Sequence, residues 1–122
     1  MNILLDTHTL LWYVTDNPRL SLAHSALIAD PRNHKFVSIA SLWEIAIKTS
    51  SGKLAVAGPL QQLVPAGVDT LQVQLSHLLR LQTLPYHHRD PFDRLLIAQA
   101  LTENLALLSV DKQFAAYGVA LL

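Results

Sequence analysis

Short runs of unbroken apolar residues, Ile3-Leu4-Leu5, Phe36-Val37-Ser38-Ile39 and Ala106-Leu107-Leu108-Ser109-Val110, are separated by stretches with helical periodicity. A strand with no polar alternation is buried on both faces, and such strands belong to parallel sheets covered by helices on each side. The alternation predicts an α/β fold: a three-layer α/β/α sandwich around a mainly parallel sheet. The periodicity predicts helices through Leu10, Leu11 and Val14, over Ser21–Ile28, over Ala40–Thr49, over His77–Leu84 and over Pro91–Leu101, with a short one at Pro59–Val64. Leu71-Gln72-Val73-Gln74-Leu75 alternates as a half-exposed edge strand, and Val119-Ala120-Leu121-Leu122 is a candidate last strand. The sheet is therefore expected to hold four to five strands.

The 122 residues form one domain, 1–122, without repeat, linker or low-complexity tract. Its size lets it bury a core without staples. The absence of cysteine excludes disulfides and thiolate metal sites. The longest apolar stretches, such as Leu10–Val14, fall far short of the roughly 20 residues that span a bilayer, so no membrane association is expected. The start, Met1-Asn2-Ile3-Leu4-Leu5-Asp6, has no basic region ahead of its apolar run, and the cytoplasm is the expected location. A formal net charge of zero means that any contact with nucleic acid depends on local Lys and Arg.

The chain has only nine acidic residues, and four of them, Asp6, Glu44, Asp93 and Asp111, are embedded in aliphatic sequence. An isolated carboxylate beside a core must be paired, capped, metal-bound or at a rim. Asp6 and Asp111 each follow an expected strand, which places both at the carboxyl edge of a parallel sheet, where open α/β sheets bind ligands. Each also precedes a helix and serves equally as an N-cap. In Asp90-Pro91-Phe92-Asp93, Asp90 is the better cap and Asp93, one turn in, the better ligand. Glu44 is open to three readings: a capping box with Ser41, an i,i+4 pair with Lys48, or a ligand. If the four converge, their repulsion requires a cation, and oxygen ligands without Cys favour Mg²⁺ or Mn²⁺ and phosphate chemistry. Thr7 and Ser109 are placed to orient an acid or a metal-bound water, and Lys48, Arg89, Arg94 and Lys112 are candidate phosphate contacts. The histidines lack metal-ligand spacing and most are read as loop or surface residues, while Trp12 and Trp43 are read as core or interface. His88-Arg89-Asp90 matches three letters of the kinase catalytic loop, but no glycine-rich loop accompanies it.

Leu4-Leu5-Asp6-Thr7-His8, Ser41-Leu42-Trp43-Glu44-Ile45, the block from His88 to Ala100, and Ser109-Val110-Asp111-Lys112-Gln113-Phe114 stand in one order along nearly the whole chain. In these motifs the sequence resembles the VapC toxin group of PIN-domain proteins. The resemblance implies a PIN-like sandwich and an endoribonuclease with Mg²⁺ or Mn²⁺ held by Asp6, Glu44, Asp93 and Asp111. It also implies a cognate antitoxin that blocks the site, and a homodimer. The group's motif includes Asp90 but does not count it among the four acids. The same residues leave room for a catalytically silent PIN-like protein-binding module, in which the acids only cap helices, and for a small-molecule phosphatase.

Overall fold

The computed structural model describes all 122 residues. Four strands, β1 (Asn2–Leu5), β2 (His34–Ser38), β3 (Val68–Leu71) and β4 (Ala106–Leu108), form one sheet in the order β3-β2-β1-β4. Every pairing is parallel, with Leu4 opposite Phe36 on one side and Leu107 on the other. The chain leaves β1 in one direction to add β2 and β3, and returns to its other edge with β4. Between the carboxyl ends of β1 and β4 lies the reversal of strand order at which open sheets hold ligands.

The helices are α1 (Thr7–Val14), α2 (Leu22–Ala29), α3 (Ile39–Ser50), α4 (Leu75–Thr83) and α5 (Pro91–Glu103), with single 3-10 segments at Leu60–Leu63 and Lys112–Tyr117. The unbroken apolar strands divide their side chains between two buried clusters, because successive residues of a strand point to opposite faces. Ile3, Leu5, Val37 and Leu108 pack with Leu10 of α1, Ile28 of α2 and Ile45 of α3. Leu4 and Leu107 pack on the other face with Leu96, Ile97 and Ala100 of α5 and with Phe114. That division produces the three layers expected from the sequence.

Two expectations need correction. The alternating segment Leu71–Leu75 is not the third strand: β3 lies earlier, at Val68–Leu71. Gln74 and His77 bond reciprocally as a capping box, with the Gln74 N–H donating to His77 Nδ1 at 3.0 Å, so Leu75 opens α4 instead of extending a strand. The C-terminal run Val119–Leu122 contributes only a single parallel bridge, Leu107 to Leu121, and the sheet stops at four strands.

Candidate active site

Asp6 stands at the end of β1, where its backbone N–H donates to the Leu108 carbonyl at the end of β4. One carboxylate oxygen accepts from the Thr9 N–H at 2.8 Å and so caps α1; the other accepts from the Ser109 hydroxyl at 2.5 Å. Ser109 in turn accepts from the Asp111 N–H at 3.0 Å, which couples the two strand ends through one hydroxyl. The Thr7 hydroxyl lies 2.8 Å from Glu44 Oε1 and 3.0 Å from Ser41 Oγ. With a single proton to give, Thr7 donates to the carboxylate and accepts from the serine. Glu44 is 4% exposed, and its other oxygen accepts from Lys48 Nζ at 2.7 Å. The capping box with Ser41 is not formed: Ser38 caps α3 by accepting from the Ala40 N–H.

Asp90 caps α5, accepting from the Asp93 N–H at 3.0 Å. Asp111 caps the 3-10 segment through Oδ1, which accepts from the Gln113 N–H at 2.9 Å, and presents Oδ2 to His88 Nε2 at 3.0 Å. Asp93 caps nothing. Its Oδ2 lies 3.2 Å from His88 Nε2, and its side chain keeps only 24% of its exposure. Burial pushes the Asp93 carboxyl up to about 7, the negative charge of Asp90 adds to that rise, His88 opposes it, and Asp6 and Glu44 reinforce it. Asp93 therefore sits in the field of three other acids.

The structure thus gathers Asp6, Thr7, Glu44, Asp93, Ser109 and Asp111 at the carboxyl edge of the sheet, with Asp90 as a cap. It adds His88, whose ring nitrogen lies with the Asp93 and Asp111 oxygens inside 4.8 Å. Reading the histidines as loop or surface residues missed it, because the loop backbone, and not any sequence spacing, aims this ring. His77 is neither loop nor surface: it belongs to α4 and is fully buried.

Among the basic candidates, Arg89 and Lys112 are exposed, and Lys48 is tied to Glu44, which raises the affinity of its amine for the proton. Arg94 is a correction. It is 6% exposed, and its guanidinium donates to the Pro85 and Leu84 carbonyls and the Tyr117 hydroxyl while stacking on Tyr86. Those bonds commit it to holding the loop before α5. Trp43 is also not a core residue: it is 58% exposed and meets Phe92 edge-on at 5.1 Å.

The molecule is thus an α/β domain with an acidic cluster at the carboxyl edge of an all-parallel sheet, beside the reversal of strand order. The PIN domain model matches residues 3–120, and the chain belongs to that family. The resemblance read from the motifs is borne out at that level.

Solved structures extend the comparison. VapBC2 from Rickettsia felis, bound to a DNA fragment from their promoter, is similar with a TM-score of 0.76 at 15% identity over 100% of this chain and 98% of that one. VapBC-1 from nontypeable Haemophilus influenzae gives 0.67 at 18% identity over 100% and 97%. A toxin-antitoxin complex from Klebsiella pneumoniae gives 0.60 at 18% over 93% and 90%. At these identities the likeness is one of fold. No curated protein matches the chain by sequence.

Proposed function

We propose that this PIN domain is a metal-dependent endoribonuclease and the toxin of a toxin-antitoxin pair. One observation carries the reading: Asp93 has no capping duty, is largely buried and lies in the field of Asp6, Glu44 and Asp90. A fold that keeps a carboxylate under such repulsion has a use for a compensating cation. The donor set fits a hard divalent ion, because it consists of carboxylate oxygens with no cysteine, as Mg²⁺ or Mn²⁺ prefers.

Asp6, Asp93 and Asp111, with Glu44, would hold that ion. When bound, it supplies Lewis acidity that activates water and neutralises charge on a phosphodiester. The protein's own residues set the stage. Ser109 and the Thr9 N–H fix both oxygens of Asp6, and Thr7 and Lys48 fix both oxygens of Glu44, so neither carboxylate needs to reorganise on binding. The exposed Arg89 and Lys112 flank the acids in sequence and supply positive charge for an RNA backbone that the neutral chain as a whole does not attract. Glu44 or Asp93 orients the attacking water.

The VapBC neighbours motivate the antitoxin as partner. A homodimer is part of the same proposal. No helix is long and apolar enough to cross a membrane, and we place the protein in the cytoplasm.

The test combines metal binding with cleavage. Saturating Mn²⁺ is expected to raise the melting temperature of the wild-type protein, and a single-stranded RNA is expected to be cut only with metal present. Asp6→Asn with Asp93→Asn is expected to lose both effects while remaining folded. Cleavage retained by the double variant would sink the proposal. A second reading, a silent binding module, draws support from the capping bonds of Asp6, Asp90 and Asp111. It predicts no Mn²⁺ effect on melting.

A further inference from the structure

We infer that His88 is a positioning residue whose Nε2–H clamps the Asp93 and Asp111 carboxylates together, and that it stays outside the coordination shell of the cation they hold. The inference rests on the reading of these acids as a cation site.

The two ring nitrogens carry the argument. The Asp90 backbone N–H donates to His88 Nδ1 at 3.1 Å, so Nδ1 presents its lone pair and the ring proton is on Nε2. Nε2 lies 3.0 Å from Asp111 Oδ2 and 3.2 Å from Asp93 Oδ2. The Nε2–H therefore bonds the Asp111 carboxylate in the turn after β4 and faces the Asp93 carboxylate of α5 at ion-pair distance. The nitrogen and the two oxygens all fall within 4.8 Å of one another. In the absence of a cation this clamp offsets the repulsion between the acids and keeps them close.

By position alone His88, Asp93 and Asp111 form a three-ligand set. The hydrogen bonds argue against that role for the ring. A ligating histidine gives the metal a lone pair from one nitrogen and donates the N–H of the other to a carbonyl or carboxylate. Here the other nitrogen accepts from an amide, which is the reverse arrangement, and Nε2 is free to ligate only if the ring proton moves to Nδ1 and the bond from the Asp90 amide is broken. The ring is also held in place: it stacks on Phe114 at 5.6 Å with planes 23° apart, and the His88 N–H donates to the Tyr117 hydroxyl at 2.7 Å.

The experiment is calorimetric titration of Mn²⁺ into the metal-free wild type, His88→Leu and His88→Gln, with melting in EDTA to check the fold of each. Leucine keeps the bulk and removes the donor, whereas the glutamine amide returns an N–H near the position of Nε2. We expect His88→Leu to bind Mn²⁺ about ten-fold more weakly or worse, the range for groups that orient ligands, and His88→Gln to recover most of the loss. Electron spin-echo modulation of the Mn²⁺-loaded wild type is expected to show no directly coordinated nitrogen. Equal or tighter binding by His88→Leu, or a coordinated histidine nitrogen in the wild type, would overturn the inference. If His88→Leu does not fold, the nitrogen signal and the affinity of His88→Gln decide. A wild type that binds no Mn²⁺ overturns the cation reading itself, and the clamp with it; failure of the clamp alone leaves wild-type binding intact.

Discussion

Asp93 shows at the scale of one residue how function and stability pull apart. Its folded-state value of about 7 lies above the ordinary 3.8. Below pH 4 both the folded and unfolded chains carry the proton and the difference has no effect. Between pH 4 and 7 the unfolded chain releases it first, so stability falls as pH rises, and above 7 the loss is complete. Asparagine at this position removes the penalty. We expect metal-free Asp93→Asn to exceed the wild type by about 2 kcal/mol at pH 8, roughly half the full linkage value because the side chain is not fully buried. The advantage should shrink toward zero at pH 4, as urea melts in EDTA at the two values will show; an equal gap at both would contradict the assignment. This residue and Asp6 were legible in the sequence because an acid inside an aliphatic run demands an explanation. His88 was not, since its role depends on an Asp90 amide and a Tyr117 hydroxyl brought to it by the fold. Arg94 misled for the opposite reason: a charge beside an acid in sequence suggests a phosphate contact, and burial sent its guanidinium to backbone carbonyls instead.

At the scale of elements, helix starts were easier to see than strand ends. Asp90 and Asp111 each place a side-chain oxygen on an N–H of the following turn, a local interaction that the sequence records directly, whereas Ser38, read as part of a strand, takes the cap of α3. The register of β3 was not local. Alternation from Leu71 to Leu75 matched a strand, but the mutual bonds of Gln74 and His77 started α4 there, and a capping box between Gln and His falls outside the usual signatures. The end of α5 offers a test of these element-level forces. Asn104 sits in the left-handed region with φ of 55°, where its Cβ costs energy that glycine avoids. Asn104→Gly is expected to raise the stability of the folded chain by about 0.5 kcal/mol, measured as a shift of the urea midpoint with the slope unchanged.

Across the whole molecule, the apolar strands made the fold class legible, since a run such as Ile3-Leu4-Leu5 has to be covered on both sides. Its residues feed both clusters, Ile3 and Leu5 one and Leu4 the other. Neither half of the core is complete without β1, so the two are expected to unfold together. Far-ultraviolet circular dichroism and the fluorescence of Trp12 and Trp43 should trace one coincident urea transition in the metal-free protein; separated midpoints would show that the layers melt independently. The strand order has a further consequence in time. Ser109 meets Asp6 across 103 positions of the chain, and β1 gains its second neighbour only when β4 arrives. During synthesis, which runs from the amino end, Asp6 and Glu44 wait for Asp93 and Asp111, and a ribosome carrying this chain holds no assembled site until Asp111 has emerged.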